Sequence, residues 1–232
     1  MASADVIIPE VTARIFECPF ASLLDLGCGF GKWGYLTKIR LKTIKESAYI
    51  LGCDVWLPDL RFCKQHGIYD DYVRCDVRAM PFKERSLDVV VACEVLEHLT
   101  KLEGQAFIRQ AELIASRNLI ISTPNGQWPQ DALLGNEFQR HRSAWLSEEL
   151  RESGFRVVGV GGLSTRARSK LLRFLGRGKG LPALGSVILA LGGILSPRIP
   201  RLGNELVASK RTDRHIESPA VRLHSSLRDP SR

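Results

Sequence analysis

The fold is decided by the stretch Leu23-Leu24-Asp25-Leu26-Gly27-Cys28-Gly29-Phe30-Gly31. Its leucines are typical of a buried strand, and the three glycines that follow stand at alternate positions. Because glycine has no Cβ atom, the backbone can lie directly against a ligand, and it can adopt the positive φ angles of a tight turn. A helix that begins after such a turn directs its free N–H groups at the same place. The stretch therefore predicts a ligand-binding turn between a strand and a helix.

The glycines alone leave the ligand open between two kinds of cofactor. Gly29, Gly31 and Gly34 also fit the GxGxxG pattern of dinucleotide-binding folds. Asp25 separates the two, because a carboxylate at the end of the strand repels a pyrophosphate and attracts a ligand with a cationic centre or an ammonium group. The acid thus favours S-adenosylmethionine over NAD.

The run Asp-x-Gly-x-Gly-x-Gly at residues 25–31 resembles the first motif of the class I S-adenosylmethionine-dependent methyltransferases. Residues 80–91 resemble the family's approach to its fourth strand, and residues 122–125 its exit from the fifth. The resemblance covers roughly residues 20 to 160. It implies an α/β fold with a Rossmann-like, seven-stranded and mostly parallel sheet, S-adenosylmethionine as the cofactor, and methyl transfer as the activity.

The resemblance also gives roles to acids at the ends of later strands. Asp54 is expected to accept hydrogen bonds from the ribose hydroxyls, since a carboxylate can accept two from a vicinal diol. Asp76 matches the position whose side chain meets the adenine amino group. The residues expected to bind the cofactor are Asp25, Gly27, Cys28, Gly29, Gly31, Asp54, Val55, Asp76, Val77 and Glu94.

Apolar runs of strand length alternate with helical patterns, which indicates a parallel sheet. The predicted strands are residues 22–26, 49–53, 72–75, 87–93, 118–122 and 156–160, and the predicted helices are 32–46, 57–66, 103–116 and 147–153. A last strand at residues 205–209 stands where the family has an antiparallel strand. The predicted organisation is an N-terminal extension (1–20), a cofactor-binding core (21–160), a basic and apolar helical insertion (161–202), the last strand (203–211) and a disordered tail (212–232).

The net charge of +8 is concentrated in the last third of the chain, where residues 161–232 hold fourteen Lys and Arg against four Asp and Glu. There an apolar run of fifteen residues, 181–195, lies between cationic flanks. It is too short to span a bilayer, which takes about 20 residues. Two interpretations remain open: a helical cap over the acceptor pocket, or peripheral contact with an anionic membrane through residues 166–201.

The cellular compartment is predicted from the hydropathy of the N-terminal residues and from the spacing of the cysteines. The first fourteen residues contain no long apolar run, so we expect no signal peptide or N-terminal anchor. Six cysteines stand without a CxxC pair and are expected to be reduced thiols. The expected location is cytoplasmic, with membrane-peripheral contact as the alternative.

Candidate catalytic groups follow the fourth strand. If a helix begins there, Glu94, Glu97 and His98 lie on one of its faces, and His141 is a further candidate. Glu-x-x-Glu-His resembles metal-dependent O-methyltransferases of quinone precursors and of RNA 3′ ends, so one interpretation is a Mg²⁺ site made of Glu94, Glu97, His98 and His141. In the other, His98 or His141 is a general base, Glu94 stays near the cofactor, and Glu97 stabilises the helix N-terminus.

The acceptor is narrowed by missing motifs. The fourth strand is followed neither by the Asp/Asn-Pro-Pro-Tyr/Phe run of DNA amino methyltransferases nor by the Pro-Cys nucleophile of cytosine C5 enzymes. An oxygen of a small or lipid-like molecule is the favoured acceptor. RNA is the alternative, although the insertion offers only Phe174 for base stacking. A non-catalytic cofactor-binding protein of the same fold is a further alternative, and the sequence gives no indication of oligomeric state.

Overall fold

A computed structural model describes residues 4–133, 135–162 and 195–213, which form one seven-stranded sheet in the order β3-β2-β1-β4-β5-β7-β6. The strands are β1 (Ser22–Leu26), β2 (Tyr49–Asp54), β3 (Asp71–Arg74), β4 (Leu87–Cys93), β5 (Ala115–Pro124), β6 (Arg156–Val160) and β7 (Glu205–Arg211). Six strands run parallel, and β7 lies antiparallel between β5 and β6. The predicted mostly parallel, Rossmann-like sheet is confirmed.

Helices cover both faces of this sheet. They are α1 (Ile8–Ile15), α2 (Lys32–Ile44), α3 (Leu57–Gln65), α4 (Lys101–Ile114) and α5 (Ser147–Glu152), with 3₁₀-helices at Asp5–Ile7, Leu96–His98, Glu137–Gln139 and Pro200–Leu202. Thr100 begins α4 with a capping box, in which its side chain accepts the Glu103 N–H and the Glu103 carboxylate accepts the Thr100 N–H. This Thr-x-x-Glu signal was present in the sequence, but the prediction began the helix two residues later than the structure does.

The sheet centre is buried on both faces. Val89 to Ala92 of β4 and Leu119 to Ile121 of β5 are fully buried, and Val90 pairs with Leu119. Continuous apolar runs are required here, because each successive side chain points into a different helical layer. The two central strands therefore hold the functional loops at their carboxyl ends on a rigid base.

The N-terminal extension contributes to the core. Ile7, Val11 and Ile15 are buried against the sheet, and the Asn118 side-chain amide donates a hydrogen bond to the Arg14 carbonyl oxygen. These positions repeat every four residues, so one face of α1 packs on the sheet while the other faces solvent. Residues 5–15 thus cover part of one sheet face.

The predicted insertion and tail lie largely outside the described residues. Residues 163–194 carry most of the basic flank and the apolar run, and residues 214–232 carry the tail. At residues 195–202 the chain forms a turn and the short helix Pro200–Leu202 before β7 begins. In the described part of the chain, every helix is too short or too polar to cross a membrane.

Candidate active site

A cavity of about 360 Å³ opens at the carboxyl ends of β1, β2 and β4. In parallel sheets with helices on both faces, this edge is where ligands bind. Eight of the ten residues predicted to bind a cofactor line the cavity, and Asp25 and Gly31 do not. The far end is lined by His98, Leu99 and a segment that includes Phe138, Arg140 and Arg142. One continuous cavity therefore joins the glycine loop to His98, whereas His141 lies next to His98 and does not line the cavity.

The glycine loop has no room for side chains. Gly27, Gly29 and Gly31 have φ angles of 68°, 50° and 82°, in the left-handed region. A Cβ atom on Gly27 would lie 2.5 Å from Val95 Cγ2, and one on Gly31 would lie 2.8 Å from Ile68 Cγ2. The glycines are needed both for the turn and for the close packing of the chain behind it.

Asp54 connects the end of β2 to this loop. One carboxylate oxygen accepts the Gly29 N–H at 2.9 Å, and the other accepts the Trp56 N–H at 2.7 Å. Burial raises the pKa of Asp54. Each carboxylate oxygen can accept a further bond, so Asp54 can hold the loop and still receive the hydroxyls of a ribose.

Asp76 lies at the cavity edge in a salt bridge that the sequence did not predict. The Arg78 Nε atom lies 2.9 Å from one carboxylate oxygen and 3.0 Å from the other, and the Arg78 N–H also donates to the carboxylate at 2.9 Å. The hydrogen bond from the guanidinium lowers the pKa of Asp76. Asp76 therefore stays ionised as an acceptor beside the cavity.

Asp25 lies beneath the loop, away from the cavity. It is fully buried, and the Tyr69 hydroxyl donates a 2.6 Å hydrogen bond to its carboxyl. Burial raises the pKa of Asp25 to about 7. The Tyr69 ring occupies a space left by two glycines, since a Cβ on Gly34 or Gly52 would lie within 2.6 Å of ring atoms. Asp25 was expected to contact the cofactor directly. Instead it lies outside the cavity wall, on the side of the glycine loop that faces Tyr69.

Glu94 does not begin a helix, contrary to the expectation. Its φ angle is 57°, and the only helical residues before α4 in this loop are Leu96–His98. The Glu94 N–H donates to the Ser122 carbonyl oxygen at 3.0 Å, and the Ser122 hydroxyl donates to the Glu94 carboxylate at 2.6 Å. These bonds hold Glu94 at the cavity wall, away from the helical face on which it was placed.

Glu97, His98 and His141 form a compact group, with one ligand atom of each lying within 4.8 Å of the others. The two imidazole ring centroids are 4.9 Å apart. Glu97 is buried, and its carboxylate accepts the Thr123 hydroxyl at 3.1 Å. The predicted set of four ligands is corrected to three, because Glu94 is bound to Ser122 and lies outside this group.

Both imidazoles use the same ring nitrogen, Nδ1, in a hydrogen bond to a backbone carbonyl oxygen. The Nδ1 atom of His98 lies 3.3 Å from the Arg140 carbonyl oxygen, and that of His141 lies 2.5 Å from the Trp128 carbonyl oxygen. A carbonyl oxygen only accepts, so each Nδ1 carries the proton and each Nε2 keeps its lone pair. Burial lowers the pKa of His98 to about 4 and also lowers that of His141. Both rings are therefore neutral near pH 7.

The segment that carries His141 is attached to the loop after β4 through backbone bonds. The Glu97 carbonyl oxygen accepts the N–H groups of Arg142 at 2.8 Å and Ser143 at 3.1 Å. The Trp145 indole N–H donates to the Leu96 carbonyl oxygen at 3.3 Å. Backbone bonds of this kind leave no pattern in the side chains, so the sequence could suggest His141 only through the family resemblance.

Glu205, the first residue of β7, is a nearby acid that the sequence analysis missed. Burial, together with the charge of Glu94, raises the pKa of Glu205 to about 8. Burial and the charge of Glu94 raise the pKa of Glu97, and the charge of Glu205 adds a smaller contribution. The sequence could have indicated this acid through the predicted last strand. A strand that runs antiparallel between two others has its first residue at their carboxyl ends, where the site lies.

Comparison with known proteins identifies the central part of the chain. Residues 24–114 match the family model described as a methyltransferase domain. An uncharacterized protein of Methanocaldococcus jannaschii is 27% identical over 136 residues, which are 59% of this chain and 55% of that protein. The chain thus spans about half the length of this curated relative.

Solved structures share the fold at low identity. The small RNA methyltransferase HEN1 aligns with a TM-score of 0.55 and 18% identity, over 88% of this chain and 24% of that chain. A Thermotoga maritima protein described as an S-adenosylmethionine-dependent methyltransferase, possible histamine N-methyltransferase, aligns with a TM-score of 0.52 and 15% identity, over 89% and 88% of the two chains. Residues 24–114, from β1 to α4, thus match a methyltransferase domain, and the order of the seven strands is the fold of the class I S-adenosylmethionine-dependent methyltransferases.

Proposed function

We propose that this chain transfers the methyl group of S-adenosylmethionine to a hydroxyl oxygen of a small or lipid-like acceptor. The observation that carries the proposal is the cavity whose wall runs from the glycine loop to His98, the neighbour of His141. A cofactor held at one end places its methyl group within reach of an acceptor held at the other. Alignment of two reactants in one cavity is the main contribution a protein makes to such a displacement.

The cofactor end provides contacts for each part of S-adenosylmethionine. The backbone at Gly27 and Gly29 leaves space for the methionyl part, Asp54 accepts the ribose hydroxyls, and Asp76 accepts from the adenine amino group. Val55 and Val77 line the cavity beside these acids and supply apolar contact. The expected roles of Asp54 and Asp76 are thus supported by their positions at the cavity wall.

The acceptor end provides a proton acceptor. The Nε2 lone pair of His98 or His141 can take the proton of the acceptor hydroxyl, whose oxygen attacks the methyl carbon. The carbon–sulfur bond breaks as the carbon–oxygen bond forms, and its electron pair stays on sulfur as a neutral thioether. The imidazolium then releases its proton to water.

The wall at the acceptor end is mixed in character, and this supports an organic acceptor of moderate size. Val95, Leu99 and Phe138 supply apolar surface, while Arg140 and Arg142 supply charge. Contact with an anionic membrane through residues 166–201 is a further part of the proposal, supported by the charge pattern of the sequence. It would bring a lipid-like acceptor to the same protein.

The proposal is tested by following labelled methyl groups. The full chain is incubated with methyl-labelled S-adenosylmethionine and with small-molecule, lipid and RNA fractions of a cell extract, beside a His98→Ala/His141→Ala double variant. We expect label in the small-molecule or lipid fraction and at least a 100-fold lower rate in the variant. Label confined to RNA would overturn the choice of acceptor. Cofactor binding without label in any fraction would favour a non-catalytic protein.

A divalent cation at Glu97, His98 and His141 is a second proposal for the acceptor end. Two neutral imidazole nitrogens and one carboxylate, within 4.8 Å of one another, fit a metal ion. This donor set suits Zn²⁺, Fe²⁺ or Mn²⁺ better than Mg²⁺, which prefers oxygen ligands and retains water. The expected Mg²⁺ is revised accordingly. A bound cation would lower the pKa of the acceptor hydroxyl.

Metal content decides this second proposal independently of activity. The full chain and a Glu97→Gln variant are dialysed against Mn²⁺, Zn²⁺ and Mg²⁺ separately, and the retained metal is measured by mass spectrometry. We expect one transition-metal ion per wild-type chain and at least a tenfold weaker retention in the variant. No retained metal, together with full activity in excess chelator, would leave the histidines as bases alone.

A further inference from the structure

Glu94 has a backbone conformation that side chains rarely adopt. Three non-glycine residues in the described part of the chain have positive φ angles, namely Lys45, Arg85 and Glu94. Lys45 ends α2 and Arg85 lies in the turn before β4, and both are exposed. Glu94 lies in the cavity wall. A glycine would adopt this conformation without strain, so a strained residue here indicates that its side chain is used.

Ser122 holds this strained residue at two points. It lies in β5 opposite Cys93, is fully buried, accepts the Glu94 N–H at 3.0 Å and donates its hydroxyl to the carboxylate at 2.6 Å. The first bond fixes the backbone turn and the second fixes the carboxylate. Removal of the hydroxyl breaks only the bond to the carboxylate, because the Glu94 N–H is accepted by the Ser122 backbone carbonyl oxygen. Ser122→Ala therefore releases the carboxylate and keeps the turn.

Glu94 lies between the two ends of the cavity. Its neighbour Val95 packs under Gly27, at 2.5 Å from the position of a Cβ on that glycine, and His98 lies one turn further along the chain. A methyl group that passes from a cofactor on the glycine loop to an acceptor at His98 must travel across this place. With the cofactor on the glycine loop and the acceptor at His98, the sulfonium that carries the methyl group would lie beside Glu94.

We propose, resting on the proposed function, that Ser122 is a positioning residue that fixes the Glu94 carboxylate beside the sulfonium. The carboxylate attracts the cationic sulfur of S-adenosylmethionine and loses that attraction when transfer leaves a neutral thioether. The site then binds the substrate cofactor in preference to its product, S-adenosylhomocysteine. The two ligands share the adenosine, carboxylate and ammonium groups, so the difference between their affinities reports on the sulfur alone.

The test compares the two affinities by titration calorimetry on the full chain and on the variants Ser122→Ala, Ser122→Thr and Glu94→Gln. Ser122→Ala should weaken S-adenosylmethionine binding by about tenfold and S-adenosylhomocysteine binding by less than about threefold. Ser122→Thr, which keeps the hydroxyl, should restore the preference. Glu94→Gln should show the same selective loss, and it decides the question if Ser122→Ala does not fold.

Two outcomes would overturn the inference. Equal losses of affinity for both ligands would show that Ser122 maintains the fold of the site and does not act on the sulfonium. Unchanged affinities would show that Ser122 has no role in cofactor binding. Failure of the proposed function gives a different result, because the labelled-methyl assay would then show no transfer to a small-molecule or lipid acceptor, whatever the affinities of the two ligands.

Discussion

At the scale of single residues, the acids of the site differ in how far their roles could be predicted. Asp54 and Asp76 line the cavity as expected, because the end of a strand in a parallel sheet fixes the edge at which its next side chain lies. Asp25 ends β1 in the same way but is covered by Tyr69, which comes from the turn before β3. A contact between residues 44 positions apart in the chain leaves no local pattern, so its role could not be derived from the sequence.

The buried Asp25 makes stability depend on pH. Its pKa is about 7 in the folded chain and near 3.8 when exposed, so between these values the folded state holds a proton that the unfolded state has released. The stabilisation from this proton is complete below about pH 3.8 and is lost as the pH rises to about 7. Asp25→Asn has no such proton, so its stability relative to wild type should increase with pH.

Thermal unfolding of both proteins between pH 5 and pH 8 measures this difference. The difference in melting temperature, Asp25→Asn minus wild type, should rise with pH and level off above pH 7. The underlying difference in unfolding free energy should change by at most about 1.4 kcal/mol per pH unit. A difference that stays constant over the range would show that Asp25 is already ionised in the folded chain.

Replacement of the strained Glu94 should separate stability from function. Glu94→Gly removes the cost of the left-handed backbone, and it also removes a carboxylate whose pKa burial raises to about 6. We expect the variant to be about 1 kcal/mol more stable, with a melting temperature about 2 to 4 °C higher, but to bind S-adenosylmethionine more weakly. Lys45→Gly is the matched control, since Lys45 has the same backbone conformation at an exposed helix end. It should gain stability and keep its affinity, and a loss of stability in Glu94→Gly would contradict the account.

At the scale of elements, strands and helices were predicted well and the segment between β5 and α5 was not. Hydrophobic runs identified β4 and β5, because buried strands in a parallel sheet must be apolar on both faces. Residues 126–146 have no such period in sequence. Within them, Arg142, Ser143 and Trp145 are held by bonds to the backbone of the 3₁₀-helix Leu96–His98. For the loop after β4, the spacing of Glu94, Glu97 and His98 would fit one face of a helix, whereas the bonds between Glu94 and Ser122 impose a turn there.

Gly104 in α4 leaves the space in which Trp145, near the end of this segment, packs. A Cβ at this position would lie 2.5 Å from Trp145 Cζ2 and 3.1 Å from Leu96 Cδ1. Gly104→Ala should therefore destabilise the fold by about 1 to 3 kcal/mol through overpacking, although alanine favours helices by about 1 kcal/mol. The exposed neighbour Gln105→Ala controls for helix propensity and should change stability little. Denaturant unfolding measures both, and a stabilised Gly104→Ala would show that Trp145 is not packed on α4.

At the scale of the whole molecule, the strand order brings the functional residues together. The position of β1 between β2 and β4 puts the glycine loop, Asp54 and Glu94 at one edge of the sheet. This much followed from the alternation of strands and helices and from the resemblance of the first motif. The proximity of His98 and His141 depends on contacts between distant segments, so the sequence could name these histidines only as candidates.

The central claim is that this cavity binds S-adenosylmethionine through the loop that Asp54 holds. Titration calorimetry of the full chain with S-adenosylmethionine tests it most directly, with Asp54→Ala as the variant and the exposed Asp71→Ala as the control. We predict one site per chain, at least a tenfold weaker affinity in Asp54→Ala because two backbone N–H groups and the ribose lose their acceptor, and wild-type affinity in Asp71→Ala. No binding to the wild-type chain, or an affinity unchanged in Asp54→Ala, would contradict the account.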